Sequence, residues 1–200
     1  MHNSPWLNPI TLTGQTVTLR PLQKDHGPAL VAAASDGELW NLWYTPVPAA
    51  DTVAAYIDFA FAEQELGRAC AFVVVENATS EIVGTTRFCN AEPGRRRLEI
   101  GYTWYARRYQ RTVVNTECKL LLLTHAFEHL DAIAVEFRTH WHNQASRDAI
   151  ARLGAKQDGV LRNHQQMADG SYRDTVVFSI INHEWLAVKA GLTYKLRPRT

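Results

Sequence analysis

The sequence predicts an α/β fold, a mixed and mostly antiparallel central sheet with helices on both faces. Three observations carry that expectation. Over residues 98–104, Leu98, Ile100, Tyr102 and Trp104 alternate with Glu99, Gly101, Thr103 and Tyr105, the period of a strand with two unlike faces. Past a basic turn at 107–112, apolar residues at 118, 120–123, 126, 127 and 130 form a stripe suited to a buried helix. Residues 134–140 then alternate again, Val135, Phe137 and Thr139 against Glu136, Arg138 and His140, and a helix joining two strands makes them parallel neighbours. The strand-to-helix junction carries Arg107, Arg108 and Arg111, and Asn115 or Thr116 is the natural N-cap. Guanidinium groups and the free N–H groups of a helix start therefore converge on a spot that suits a polyanion.

The other elements follow in order. Residues 16–22 read as an opening strand that stops at Pro21, residues 24–35 as an Ala-rich helix, and residues 51–66 as a helix capped by Asp51 and stopped by Gly67. Between these helices a proline-bounded loop carries Trp40, Trp43 and Tyr44, which either cover the core or line a ligand cleft. Residues 70–76 and 81–89 form a hairpin about Asn-Ala-Thr-Ser, and the run Gly94 to Arg97 turns into the strand at 98. After the strand at 134–140 come a short helix at 144–153 closed by Gly154, strands at 160–167 and 173–181 about an Ala-Asp-Gly-Ser turn, and a last helix at 183–190. No repeat or long linker divides the chain, so residues 1–200 are read as one domain.

Charge and cysteine usage narrow the function. The 200 residues hold 21 basic and 20 acidic side chains, which argues against nucleic acid as a partner. Three cysteines without metal-ligand spacing, no signal-peptide pattern at the start and no apolar run of membrane length point to a reducing cytoplasm and to no membrane association. His125 and His129 lie one helical turn apart but lack the His-Glu-x-x-His order, and His140-x-His142 has no cysteine pair beside it, so no metal site is expected.

The residues Leu-Glu-Ile-Gly-Tyr at 98–102, Asn-Thr-Glu-x-Lys at 115–119, Asn143-x-x-Ser146 and Leu153-Gly154-Ala155 resemble the GNAT superfamily of N-acetyltransferases, in particular its RimJ/RimL branch. Asp169-Gly170 and the run from Arg173 to Val176 add to the likeness, which spans residues 17–185. The resemblance implies a splayed pair of parallel strands, 98–104 and 134–140, with the pantetheine arm of acetyl-CoA between them. It also implies a pyrophosphate held by the loop and helix start at Gln110, Arg111, Thr112, Val113, Val114, Asn115 and Thr116. The family loop usually has glycine where Val113 stands, and β-branched valine does not take positive φ comfortably.

Transfer of an acetyl group to an amine needs a proton acceptor for the amine, a donor to the carbonyl oxygen and a proton for the departing thiolate. A backbone N–H exposed near Thr103, Trp104 and Tyr105 would face the carbonyl oxygen. Glu99 is either the base or an ordinary ion-paired strand carboxylate. The tyrosine found in many relatives on the helix after the second strand aligns with Ile150, so the resemblance implies Ser146 as the acid, against a plain capping role. Asn143 is placed on the pantetheine amide and is also a good N-cap. Trp40, Trp43, Tyr44 and Trp141 are the candidate acceptor contacts. The expected activity is direct transfer from acetyl-CoA to a protein N-terminus or a small amine. The alternative is an acyl-CoA sensor or interaction module that has lost turnover, and a homodimer is the expected assembly.

Overall fold

The computed structural model describes residues 6–167 and 169–197. Its strands are β1 (Leu12–Thr13), β2 (Val17–Pro21), β3 (Cys70–Glu76), β4 (Ile82–Glu92), β5 (Arg97–Tyr105), β6 (Ala134–His140), β7 (Lys156–Gln166) and β8 (Tyr172–Ile181). The helices are α1 (Gly27–Ser35), α2 (Val53–Glu65), α3 (Val113–Thr124), α4 (Gln144–Leu153) and α5 (Trp185–Lys195). The strands make one sheet in the order β1-β2-β3-β4-β5-β6-β8-β7. Among the described residues only β5 and β6 pair in parallel; the other neighbours are antiparallel. One face is sealed by α3, α4 and α5 through Leu98, Ile100, Val114, Leu122, Val135, Phe178 and Trp185, and the other by α1 and α2 through Leu30, Ile57, Ala71, Val73 and Trp104.

The parallel pair is short. Its rungs are Arg97 with Ala134, Leu98 with Val135 and Glu99 with Glu136, and pairing stops there. Beyond it β5 stays bonded to β4 as far as Tyr105 opposite Gly84, while β6 stays bonded to β8 as far as His140 opposite Thr175. The two strands therefore part without either losing its outer support, and the backbone edges facing the gap are left unpaired.

A bulge helps to open that gap, and it corrects the simple alternation read from the sequence. Thr85 pairs with Trp104 but Arg87 with Gly101, so β5 carries one extra residue there, and Tyr102 sits in the left-handed region at φ 51°. Past it the faces exchange: Tyr105, not Trp104, shares the core with Leu98 and Ile100, and Trp104 packs toward α1 and α2.

Other boundaries moved for local reasons. Helix α3 begins three or four residues earlier than an Asn115 or Thr116 cap would allow, because Thr112 is its N-cap and accepts from the Val114 N–H at 3.3 Å. The Asn115 side chain is engaged elsewhere, accepting from the Tyr105 hydroxyl at 3.2 Å. The N-cap of α2 is Thr52 rather than Asp51, while Gly67 at φ 69° stops that helix as expected. Strand β7 starts directly after the Gly154 cap, α5 runs on to Lys195, and the two-residue β1 carries no periodicity of its own.

Helix α3 is tied to the sheet by Glu117, whose buried carboxylate accepts the N–H groups of Gln15, Thr16 and Val17 at 2.7, 2.8 and 3.0 Å. Gly14 permits this approach, since a Cβ there would lie 2.7 Å from the Glu117 Cδ.

Candidate active site

Glu99 stands on the last rung before the strands part, and 93% of it is hidden from solvent. Asn90 Nδ2 donates to its Oε2 at 2.8 Å, and Arg138 Nε lies 3.6 Å away. Burial pushes its carboxyl above the ordinary carboxylate range, against the lowering effects of Asn90 and Arg138. A carboxylate so placed is a better base than an exposed one. The neighbouring guanidinium is shared, because Arg138 also bonds Glu136 at 2.9 Å and Glu136 takes Arg97 at 2.6 Å.

On the opposite side of β5, next to the bulge, lies a buried cation. Lys119 Nζ donates to Thr103 Oγ1 at 2.7 Å and meets Thr86 Oγ1 at 3.4 Å. Burial lowers its pKa to about 8. Thr103 thus has its side chain committed to Lys119 and Thr86, and Trp104 and Tyr105 have theirs in the two cores. What these three residues offer the gap is backbone.

The loop leading to α3 is braced from within. Gln110 Nε2 donates to the Tyr105 carbonyl at 3.0 Å and Thr112 Oγ1 to the Tyr109 carbonyl at 2.7 Å. The one left-handed residue of the loop is Arg111, at φ 60°, and Val113 is the first residue of the helix. The missing glycine is therefore no obstacle: position 113 needs only helical φ, which valine adopts. Among the described residues no acceptor meets the amides of Arg111, Thr112 or Val113. Three donor groups at the positive end of a helix fit a diphosphate. Val114 is buried, while Asn115 and Thr116 are half-buried on the first turn.

Asn143 is the N-cap of α4, its Oδ1 accepting from the Ser146 N–H at 3.0 Å. Ser146 is therefore not the cap. It is half-buried, and its hydroxyl has no partner among the described residues. Ile150, where many relatives have tyrosine, is buried in the core.

The aromatic candidates divide. Trp40 is half-buried against the α1–α2 core. Trp43 is 57% exposed and lies edge-on to Tyr44 at 5.6 Å and to His140 at 4.9 Å, with His142 at 5.8 Å. The loop between α1 and α2 thus reaches the far end of β6. Trp141, next along the chain, lies under the Arg147 guanidinium at 4.3 Å. His140, Trp141 and His142, with Arg162, Tyr172 and Asp174, line a cavity of about 180 Å³. Burial, assisted by Arg173 and His142, lowers the pKa of His140, whose Nδ1 accepts from the His142 N–H at 3.1 Å.

A second cavity of about 180 Å³, between α2 and the sheet, is lined by Phe59, Arg68, Arg87, Cys89, Asn90 and Tyr102 among others. Arg87, Asn90 and Arg138 carry no site role in the sequence pattern, and Lys119 stands there only as the last residue of the Asn-Thr-Glu-x-Lys motif. The visible signal was a charge inside an otherwise apolar or hydroxylated strand, Arg87 in Ile-Val-Gly-Thr-Thr-Arg-Phe-Cys. Among the described residues no group of three or more His, Cys, Asp or Glu side chains could hold a metal ion, and no helix is long and apolar enough to cross a membrane.

Comparison with known proteins agrees with this geometry. Residues 16–156 match the model of the acetyltransferase (GNAT) domain family. A GCN5-related N-acetyltransferase from Brucella melitensis superposes with a TM-score of 0.85 at 26% identity, covering 99% of this chain and 91% of that one. Mycobacterium smegmatis RimJ in complex with CoA-disulfide shares the fold, with a TM-score of 0.79 at 22% identity over 94% of this chain and 95% of that one. The protein called "Putative ribosomal N-acetyltransferase YdaF" of Bacillus subtilis (strain 168) is 29% identical over 104 residues, 52% of this chain and 56% of that relative, so the match spans only about half its length. With a family model covering most of its length, the chain belongs to the GNAT acetyltransferase family, and its likenesses include RimJ and a ribosomal-type N-acetyltransferase.

Proposed function

We propose that the chain is an acetyl-CoA-dependent N-acetyltransferase that acts on a primary amine, with a protein N-terminus as the preferred acceptor. The observation that carries this reading is the parting of β5 and β6 after the Glu99–Glu136 rung, with both strands held from outside, directly below a helix start whose leading amides lack acceptors among the described residues. The residues fit acetyl-CoA: Arg111, Thr112 and Val113 would hold the diphosphate, and the unpaired edges of the gap would hold the amides of the pantetheine arm. When bound, acetyl-CoA supplies a thioester carbonyl carbon open to attack.

The chain's own groups then divide the proton work. Glu99, buried and above the ordinary carboxylate range, accepts the proton of the incoming amine. The β5 backbone at the bulge offers N–H groups fixed by the Lys119–Thr103 contact, a donor set that costs no reorganisation. Ser146, with a free hydroxyl on the first turn of α4, gives a proton to the sulfur. Trp43, Tyr44 and Trp141 flank the acceptor's approach. The name of the YdaF relative supports a protein N-terminus, and a small amine remains the other acceptor class.

The test is a panel of N-terminal peptides and small amines incubated with the purified protein and acetyl-CoA, read by release of the CoA thiol. Thiol release with at least one peptide is expected. Acetyl-CoA bound but never consumed would favour a sensor of the same fold.

A further inference from the structure

The cavity between α2 and the β5 bulge contains the most unusual side chain of the molecule. Arg87 is 1% exposed, and all three nitrogens of its guanidinium are buried without a hydrogen bond among the described residues. It lies among aromatic faces, 4.2 Å from the Tyr102 centroid, 5.4 Å from Tyr56 and 5.7 Å from Phe59. These offset part of the cost of burial, but neither the ring faces nor the neutral Tyr56 oxygen balances the guanidinium's charge. Two further buried groups beside it are unpartnered as well, the Tyr56 hydroxyl and the Trp104 indole N–H; the phenol lies close to Trp104, Thr85 and Arg87, yet none of these approaches has hydrogen-bond geometry. The carboxylates nearby are taken: Glu63 pairs with Arg68 at 2.8 Å, and Glu99 with Asn90 and Arg138. The cluster is therefore rich in donors and lacks an anion.

Its position relates it to the acetylation chemistry. Arg87 pairs with Gly101 and Cys89 with Glu99, so the guanidinium and the Glu99 carboxylate rise from one face two residues apart, about 7 Å along the strands. Gly101 keeps the floor between them open, since a Cβ there would stand 3.1 Å from both Glu99 Oε1 and Cys89 Sγ. Phe59 and Tyr102, 47% and 37% exposed with rings 6.1 Å apart, form the outer wall over Arg87, so a ligand reaches the guanidinium only when one of these rings moves aside.

We propose that this cavity selects an acceptor whose amine sits beside a carboxylate side chain, the amine at Glu99 and the acid in a bidentate contact with Arg87, as in a peptide that begins with aspartate or glutamate. The inference rests on the acetyltransferase reading for the role of Glu99, but the anion pocket is testable without turnover. Arginine's planar fork matches a carboxylate, whereas the carboxamide of Asn or Gln leaves a donor facing donors.

The experiment titrates the full chain, with and without CoA, by calorimetry against Glu-Ala-Ala-amide and Gln-Ala-Ala-amide, and against free L-glutamate and L-glutamine, followed by kcat and KM for the same four with acetyl-CoA. The acidic peptide is expected to bind roughly 30- to 100-fold tighter than its amide twin, with the difference in KM rather than kcat. In Arg87→Met that ratio falls to near one while acetyl-CoA affinity holds and the thermal midpoint does not fall. Arg87→Lys, which keeps the charge without the fork, recovers part of the ratio. Preference for glutamate over the peptide would assign the same pocket to a free amino acid. Equal binding of acid and amide by the wild type, or a preference that survives in Arg87→Met, overturns the proposal. Acid-selective binding without any turnover would leave the pocket standing and count against the acetyltransferase reading instead.

Discussion

Two buried ionisable residues flank the bulge, and each gives the site a measurable pH behaviour. Glu99 must be ionised to take a proton, and burial raises its pKa above the usual 4.5. The rate should therefore climb with pH through a limb above the ordinary carboxylate range. Glu99→Gln is expected to lower kcat by about 100-fold or more with KM nearly unchanged, and to abolish that limb; an unaltered profile would remove Glu99 from the reaction. Lys119 works through stability. Its folded pKa of about 8 lies below the usual 10.5, so between those values the unfolded chain binds more protons than the folded one, and stability from this group rises with pH. Urea unfolding of wild type and Lys119→Met from pH 7 to 10 should show the wild type gaining on the variant above pH 8, by up to a few kcal/mol. The comparison with the variant matters because Cys70 and Cys118, pushed up to about 12 by burial, work in the opposite direction above pH 9.

At the level of elements, what repeats was legible and what depends on a partner across space was not. Two alternating runs and the apolar stripe between them fixed β5, α3, β6 and the parallel crossover. The bulge at Tyr102 escaped because Leu-Glu-Ile-Gly-Tyr-Thr-Trp-Tyr alternates without a break; it shows only when β4 is laid beside β5. The cap of α3 was misplaced because Asn115 is a good capping residue in isolation, and nothing local reveals that Tyr105 claims its side chain. Of the candidate site as proposed, Glu99 and the loop residues stand out by their pattern, and Ser146 only through the family resemblance. Arg87 and Lys119 acquire meaning only from the rings and hydroxyls that the sheet brings to them. Glu117, seen as part of a motif, proves to be a clamp on three amides of the β1–β2 turn. Glu117→Gln puts a donor among those donors and should cost roughly 2–3 kcal/mol in urea unfolding; a loss under about 0.5 kcal/mol would mean the turn is held by other contacts.

For the molecule as a whole, an otherwise continuous sheet is interrupted at one place. Among the described residues six of its seven strand pairings are antiparallel. The seventh is parallel and ends after three rungs. Cores on both faces hold the diverging strands, so the gap is built into the packed structure and does not await a ligand to create it. A preformed gap below a helix start is the central claim. Its most direct measurement is a calorimetric titration of the purified chain with acetyl-CoA, repeated with Val113→Asp, which sets a carboxylate at the first helical residue. The account predicts one site per chain with micromolar or tighter affinity, weakened at least 10-fold in the variant by repulsion of the diphosphate. Absence of binding, or equal affinity in the two proteins, would contradict it.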